Sequence, residues 1–223
     1  MKILITSGGT REPIDQVRFI SNRSSGKTGA TLADFFSSVN NDVYYLHSEG
    51  AIIPKRVERK ICYSSFNDLE TCLKQIIREI SFDIIIHAAA VSDFSLDKVL
   101  IDDIPHLTEE INKISSKSNL KLILKPNFKI ISYLKSYANE HKRTPLIVGF
   151  KFTNTNDLEE RKLATLKVLK NPGVVLAIHN DLYDMKQGKR IFNIYDKNSH
   201  FKAKSVIDLA HKLNDYFAIA HNN

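Results

Sequence analysis

Short apolar runs alternate with amphipathic stretches at helical spacing along almost the whole chain, and that alternation limits the fold more than any other feature. Residues 2–6 (Lys-Ile-Leu-Ile-Thr) read as a buried strand, followed at once by Ser7-Gly8-Gly9-Thr10. Residues 27–39 put Leu32, Phe35, Phe36 and Val39 on one helical face, and 43–46 form a second strand. Residues 66–80 place Phe66, Leu69, Leu73, Ile76, Ile77 and Ile80 at helical spacing, capped by Ser65 or Asn67. Residues 83–87 are a central parallel strand. Strands at 120–124, 146–152 and 173–178 then alternate with helices at 128–139 and 158–170. Residues 190–195 make a late strand paired near Phe201, and 205–220 close the chain as a helix.

Strictly alternating strands and helices imply the α/β class: a doubly wound, mainly parallel, Rossmann-like sheet with helices on both faces. The late strand pair adds a small C-terminal hairpin excursion. In such sheets ligands bind beyond the carboxyl ends of the strands. Residues 95–119 break the pattern with weak periodicity, and loops of that length are usually lids or disordered segments, so a mobile loop is expected there. Otherwise the 223 residues read as one domain.

Composition narrows the function classes. No apolar run approaches the ~18–20 residues of a membrane helix, and the start lacks a signal peptide's long apolar region. A cytoplasmic protein with no membrane partner is expected. The net charge of +7 is spread without a basic tail or aromatic-rich RNA motif. It suits attraction of multiply charged phosphate compounds, and nucleic-acid binding is not expected. The two cysteines, Cys62 and Cys72, are too few for a zinc site, and Cys72 falls on an apolar helical face as a buried thiol.

The chemistry concentrates in the loops after strands. Ser21-Asn-Arg-Ser-Ser-Gly-Lys-Thr-Gly-Ala30 offers amides, hydroxyls and cations just before a helix start, a natural anion site. Gly26-Lys27-Thr28 is not a P-loop, because Ser21 stands where that motif needs glycine. The dinucleotide fingerprint G-x-G-x-x-G is absent near the first strand. None of the eight tyrosines has lysine four residues later, which argues against a short-chain reductase. Ser7-Gly8-Gly9 is either a tight turn or, at the end of the first strand, a ligand contact. Ala88-Ala-Ala-Val-Ser-Asp93 leaves room for a flat group against the backbone, with Asp93 at the sheet edge and His87 in the core or behind the site. By spacing alone Lys113 is a solvated loop lysine.

Together these segments resemble phosphopantothenate–cysteine ligases. The resemblance rests on Ile5-Thr-Ser-Gly-Gly-Thr-Arg-Glu-Pro-Ile-Asp15 and Val17-Arg-Phe-Ile-Ser-Asn-Arg-Ser-Ser-Gly-Lys27. It continues through Ala88-Ala-Ala-Val-Ser-Asp93, Lys113-Ile-Ser-Ser116, Pro145-Leu-Ile-Val-Gly-Phe-Lys151 and His179-Asn-Asp181. It is nearest the stand-alone bacterial form, so no flavin-binding decarboxylase domain is expected ahead of this chain.

The resemblance implies a two-step reaction with CTP or ATP as co-substrate and Mg²⁺. Nucleotide first activates the carboxylate of 4′-phosphopantothenate, and the amine of L-cysteine then displaces it. By the same analogy Asn22 and Lys113 are catalytic, and Arg18, Ser21, Ala89 and Ala90 bind the phosphorylated acid. Gly8, Gly9, Ser24, Ser25, Gly26, Lys27, Asp93, Phe150, Lys167 and Lys170 contact nucleotide. No residue is expected to hold a metal in a dedicated cage. A homodimer is implied, with residues 183–200 contributing to its contact. The chain departs from the family pattern at Lys113-Ile-Ser-Ser116, at Pro126-Asn127-Phe128 and at His179.

Overall fold

A computed structural model describes residues 1–139, 141 and 143–221. In chain order the elements are β1 (Lys2–Ser7), β2 (Arg11–Pro13), β3 (Phe19–Ser21), α1 (Lys27–Ser38), β4 (Asp42–Ser48), β5 (Arg59–Tyr63) and α2 (Phe66–Glu79). There follow β6 (Ile84–His87), β7 (Phe94–Ile101), β8 (Ile104–His106), β9 (Leu120–Pro126), α3 (Leu134–Tyr137) and β10 (Leu146–Thr153). The last are α4 (Leu158–Leu169), β11 (Val174–Asp181), α5 (Leu182–Lys186), β12 (Phe192–Tyr195), β13 (His200–Ala203) and α6 (Val206–His221).

Eight strands form the central sheet in the order β13-β12-β11-β10-β6-β1-β4-β5. Every neighbouring pair from β11 to β5 is parallel, whereas β12 and β13 are antiparallel, the expected hairpin excursion. The chain winds outward from β1 to β5, then returns to β6 and winds the other way. The strand order therefore reverses between β1 and β6, where a crevice opens at the carboxyl edge.

The fully apolar strands follow from burial on both faces. On one face Ile3, Ile5 and Ile86 pack with Phe36 of α1 and with Leu209, Leu213 and Phe217 of α6. On the other, Leu4 and Ile85 pack with Leu69, Leu73 and Ile77 of α2 and Leu134 of α3. Ser65 caps α2, with Asp68 closing a capping box. Cys72 is only half-buried beside this core, less enclosed than its helical face implies, and Cys62 is exposed. No helix among the described residues is long and apolar enough to cross a membrane.

Several expectations are corrected. The first half of residues 95–119 is not irregular: β7 and β8 join β9 in a separate three-stranded antiparallel sheet, order β8-β7-β9, and beyond β8 the stretch holds only a 3₁₀ turn at Thr108–Glu110. Strand 120–124 is thus part of this flap and not of the main sheet. A register shift between Leu96 and Lys98 throws β7 out of its two-residue phase, which hides the strand from periodicity. Val99, Ile111 and Ile114 make a small core of its own. Residues 128–139 hold a 3₁₀ turn at Ile130–Ser132 and the short α3 in place of one helix. The short hairpin β2–β3 and the edge strand β5, with Arg59 and Lys60 facing solvent, carry too little apolar pattern to be read.

Candidate active site

The crevice between β1 and β6 is built by three backbone segments that approach closely. Beyond β1 the chain turns through Gly8 at φ 90°, a left-handed geometry suited to glycine. The amide of Ala90 donates to Gly8 O at 2.7 Å, and Thr10 N donates to Ala90 O at 3.3 Å. Gly9 and Ala90 thereby extend the parallel pairing past the strand ends. Over Gly9 lies the loop after β3: a Cβ on Gly9 would stand 2.6 Å from Asn22 O and 3.2 Å from Ser21 Oγ. Asn22 Nδ2 donates to Val91 O at 3.1 Å, so its carboxamide bridges to the loop after β6. Its Oδ1 has no partner among the described residues and is available to a ligand.

Behind this junction Thr6 Oγ1 accepts from Ala89 N at 3.2 Å and lies 2.9 Å from His87 Nδ1. A hydroxyl that accepts from Ala89 N and donates to Nδ1 leaves the imidazole proton on Nε2, the tautomer assigned to this pair. Burial pushes His87 down to about 4, so it is neutral at physiological pH and shapes the turn without exchanging protons. His87 is buried, as the sequence implies. A cleft of about 270 Å³ opens beside Asn22, walled by Glu12, Ile20, Ser92, Phe94 and Leu124.

Arg18 and Lys113 are brought into one neighbourhood by Asp15. The buried Asp15 carboxylate accepts from Val17 N at 2.8 Å, Arg18 N at 2.7 Å and Ile114 N at 3.1 Å. Burial alone would raise its pKa; those three donations, from Ile114, Val17 and Arg18, and the Arg18 charge outweigh it and hold the carboxyl below its ordinary value. Arg18 Nη2 donates to Ile114 O at 2.8 Å. The turn of the β2–β3 hairpin is thus clasped to the flap one residue from Lys113, whose side chain is exposed.

At the start of α1, Gly26 is the N-cap in a left-handed conformation and no side chain caps the helix. Ser24, Ser25 and Lys27 are exposed there. Arg190, distant in sequence, donates from Nη2 to Thr28 Oγ1 at 2.9 Å and brings another cation to this end. Asp93 is exposed and ion-paired with Lys129. Phe150 packs against the α1/α6 core from β10. Lys167 and Lys170 stand apart from the other candidates within the chain. Helix α4 runs back from the carboxyl edge, and Lys170 precedes Gly173, whose carbonyl accepts from Ile147 N near the start of β10. Within one chain those lysines lie at the opposite edge of the sheet from Asn22. Glu12, Lys129 and Arg190 were not singled out in the sequence, and Asn127 only as part of a departure from the family pattern; each gains its place through a long-range contact that no local spacing signals. Among the described residues no group of three His, Cys, Asp or Glu side chains is placed to hold a metal.

Residues 1–218 match a family described as the DNA/pantothenate metabolism flavoprotein C-terminal domain. The chain is 30% identical over 181 residues to the coenzyme A biosynthesis bifunctional protein CoaBC of Thermococcus kodakarensis, covering 81% of this chain and 41% of that protein. It is likewise 30% identical to the CoaBC protein of Haemophilus influenzae, covering 94% of this chain and 49% of the relative. The chain thus spans less than half the length of these curated relatives. The solved DNA/pantothenate metabolism flavoprotein of Streptococcus pneumoniae superposes with a TM-score of 0.84 at 26% identity, covering 99% of this chain and 100% of that one.

Proposed function

The chain belongs to the DNA/pantothenate metabolism flavoprotein C-terminal domain family, and from that premise we propose that it is a ligase of coenzyme A biosynthesis joining 4′-phosphopantothenate to L-cysteine. A carboxylate oxygen of the acid attacks the α-phosphorus of CTP or ATP, with CTP our reading, and the bond to the β-phosphate breaks to release pyrophosphate. The cysteine amine then attacks the acyl carbon, loses a proton and expels the nucleoside monophosphate, leaving an amide.

The observation that carries this reading is the meeting of Gly9, Asn22 and Ala90 at the point where the strand order reverses. Asn22 offers a neutral carboxamide to the activated acyl group, where stabilising developing charge is the main lever on rate. Arg18, Ser21, Ala89 and Ala90 bind the phosphorylated acid. Arg18 is already turned toward Ile114 O, so phosphate binding would exchange that contact for a stronger charged one. Lys113 comes from the flap to neutralise the triphosphate, and residues 95–119 serve as the closing element. Gly8, Gly9, Ser24, Ser25, Gly26 and Lys27 form the phosphate cradle at the start of α1, with Phe150 near the nucleotide. A divalent ion arriving with the nucleotide needs few protein ligands. Asp93, exposed at the cleft and paired with Lys129, is read as a nucleotide contact.

A cytoplasmic homodimer with residues 183–200 in its contact completes the reading, supported by the exposed Tyr183 and Met185 and by the apolar side chains that β8 and β9 leave exposed, Ile104 and Ile123 among them. A monomer by light scattering at micromolar concentration would count against it. The deciding assay measures pyrophosphate release with nucleotide and 4′-phosphopantothenate, then amide formation when cysteine is added. Absence of pyrophosphate with both CTP and ATP would refute the ligase.

A further inference from the structure

Glu12 lies on β2 and is 4% exposed. A carboxylate so placed is costly unless both oxygens are satisfied. One oxygen, Oε1, accepts from the amide of Phe66 at 3.0 Å, the first residue of α2, where the helix dipole favours an anion. The other, Oε2, accepts from Ser95 Oγ at 2.9 Å. Ser95 Oγ in turn accepts from Asn127 Nδ2 at 2.9 Å. The same amide nitrogen donates to Ser92 O at 3.1 Å, and Asn127 N donates to Asp93 O at 2.8 Å.

The donors all point one way, from Asn127 through Ser95 to the carboxylate. Ser95 stands at the point where the chain enters the flap, and Asn127 just after it leaves, since Phe94 pairs with Pro126 and Ser95 with Lys125. Glu12 therefore ties to both crossings between the main domain and the three-stranded sheet, directly at Ser95 and through Ser95 at Asn127. Its neighbours across the β2–β3 hairpin and in the cleft are Ile20 and Asn22. An apolar side chain of similar size would fill the space at less desolvation cost. What the carboxylate adds is a fixed angle between flap and cleft.

We propose that Glu12 is a positioning residue. Acting through Ser95 and Asn127, it sets the pose of the flap, and so of Lys113, over the cleft that holds Asn22. The proposal rests on the ligase reading for its kinetic consequence but not for its structural one. If Lys113 serves nucleotide activation and Asn22 serves amide formation, loosening the latch slows the first step selectively.

Ser95→Ala removes the central hydroxyl without adding bulk, and Ser95→Thr keeps it. Two readouts separate the latch from the reaction. Hydrogen exchange is expected to speed up in residues 94–126 of Ser95→Ala, with β1 and β6 unchanged, and to return to the wild-type pattern in Ser95→Thr. In single turnover, pyrophosphate release is expected to fall about tenfold, as for a slightly misplaced catalytic group. Reaction of cysteine with preformed acyl nucleotide should stay within about twofold on the same reasoning. Unchanged exchange in the flap overturns the latch, and so does equal slowing of both steps, the pattern of a merely destabilised fold. Wild-type protein that releases no pyrophosphate overturns the ligase reading alone, and the exchange comparison then still decides the latch. Glu12→Gln is the second variant: it reverses polarity toward Ser95 while conserving volume, and normal exchange there would equally contradict the proposal.

Discussion

Replacing Gly9 with alanine tests whether the close approach of backbones is what places Asn22. The new Cβ would lie 2.6 Å from Asn22 O, a backbone atom that cannot rotate away. Ordinary C···O approach is about 3.3 Å, so the Ser21–Asn22 segment must retreat by roughly 0.7 Å. Asn22 Nδ2 lies 3.1 Å from Val91 O, and a shift of that size away from it takes the pair past bonding range. Overpacking of this kind costs about 1–3 kcal/mol. At about 2–4 °C per kcal/mol for a domain of this size, melting falls by several degrees. Displacement approaching 1 Å at a reacting group costs up to ~10²-fold. We expect amide formation from acyl nucleotide to slow by about 10–100-fold in Gly9→Ala, read by rapid quench alongside a thermal melt. A variant with normal amide formation and an unshifted melt would show that Gly9 does not hold Asn22 in place.

Three further outcomes follow from the buried charges. Asp15 has a folded pKa below its reference value of 3.8, so its stabilising contribution is present above that value and is lost as pH falls through the folded one. Asp15→Asn should be less stable at neutral pH, with the gap closing below about pH 4; a constant gap in melts across that range contradicts the assignment. His87, lowered from 6.5 to about 4, stays neutral while the unfolded chain takes up a proton, so stability declines as pH drops from 6.5 toward 4. Nitrogen-15 spectra should show the Nε2-protonated form down to about pH 5, and titration near 6.5 would rule out its buried bond to Thr6. Arg161 donates to Thr155 O at 2.7 Å and to Asp184 at 2.8 Å, and pairs with the buried Asp181 at 3.3 Å. Arg161→Leu strands these carboxylates and should cost about 3–5 kcal/mol in urea unfolding; a loss under about 1 kcal/mol would mean the cluster is not a unit.

The doubly wound sheet was legible because β1, β6 and β11 are buried on both faces and carry uninterrupted apolar runs, and because α2 keeps strict helical spacing. Of the flap only β9 was legible as a strand, and the alternation placed it in the main sheet; the register shift in β7 removes that strand's period-two signal, and β8 is too short to show one. The loop residues Gly9, Asn22 and Ala90 could be named from their segments, but their meeting depends on the pairing of β1 with β6, which no local pattern encodes. Lys167 and Lys170 lie far from Asn22 within the chain for a topological reason: a helix crossing between parallel strands carries its last turn to the opposite edge of the sheet. Glu12 stayed hidden because its meaning lies in Phe66 and Ser95, far along the chain.

Transfer of an oxygen isotope tests the central claim most directly. 4′-Phosphopantothenate labelled with oxygen-18 in its carboxylate is incubated with CTP, Mg²⁺, cysteine and the protein, and the products are analysed by mass spectrometry. An acyl-nucleotide path leaves one labelled oxygen in the nucleoside monophosphate and none in pyrophosphate. Label in inorganic phosphate, or amide formed with unlabelled nucleotide products, would contradict the account.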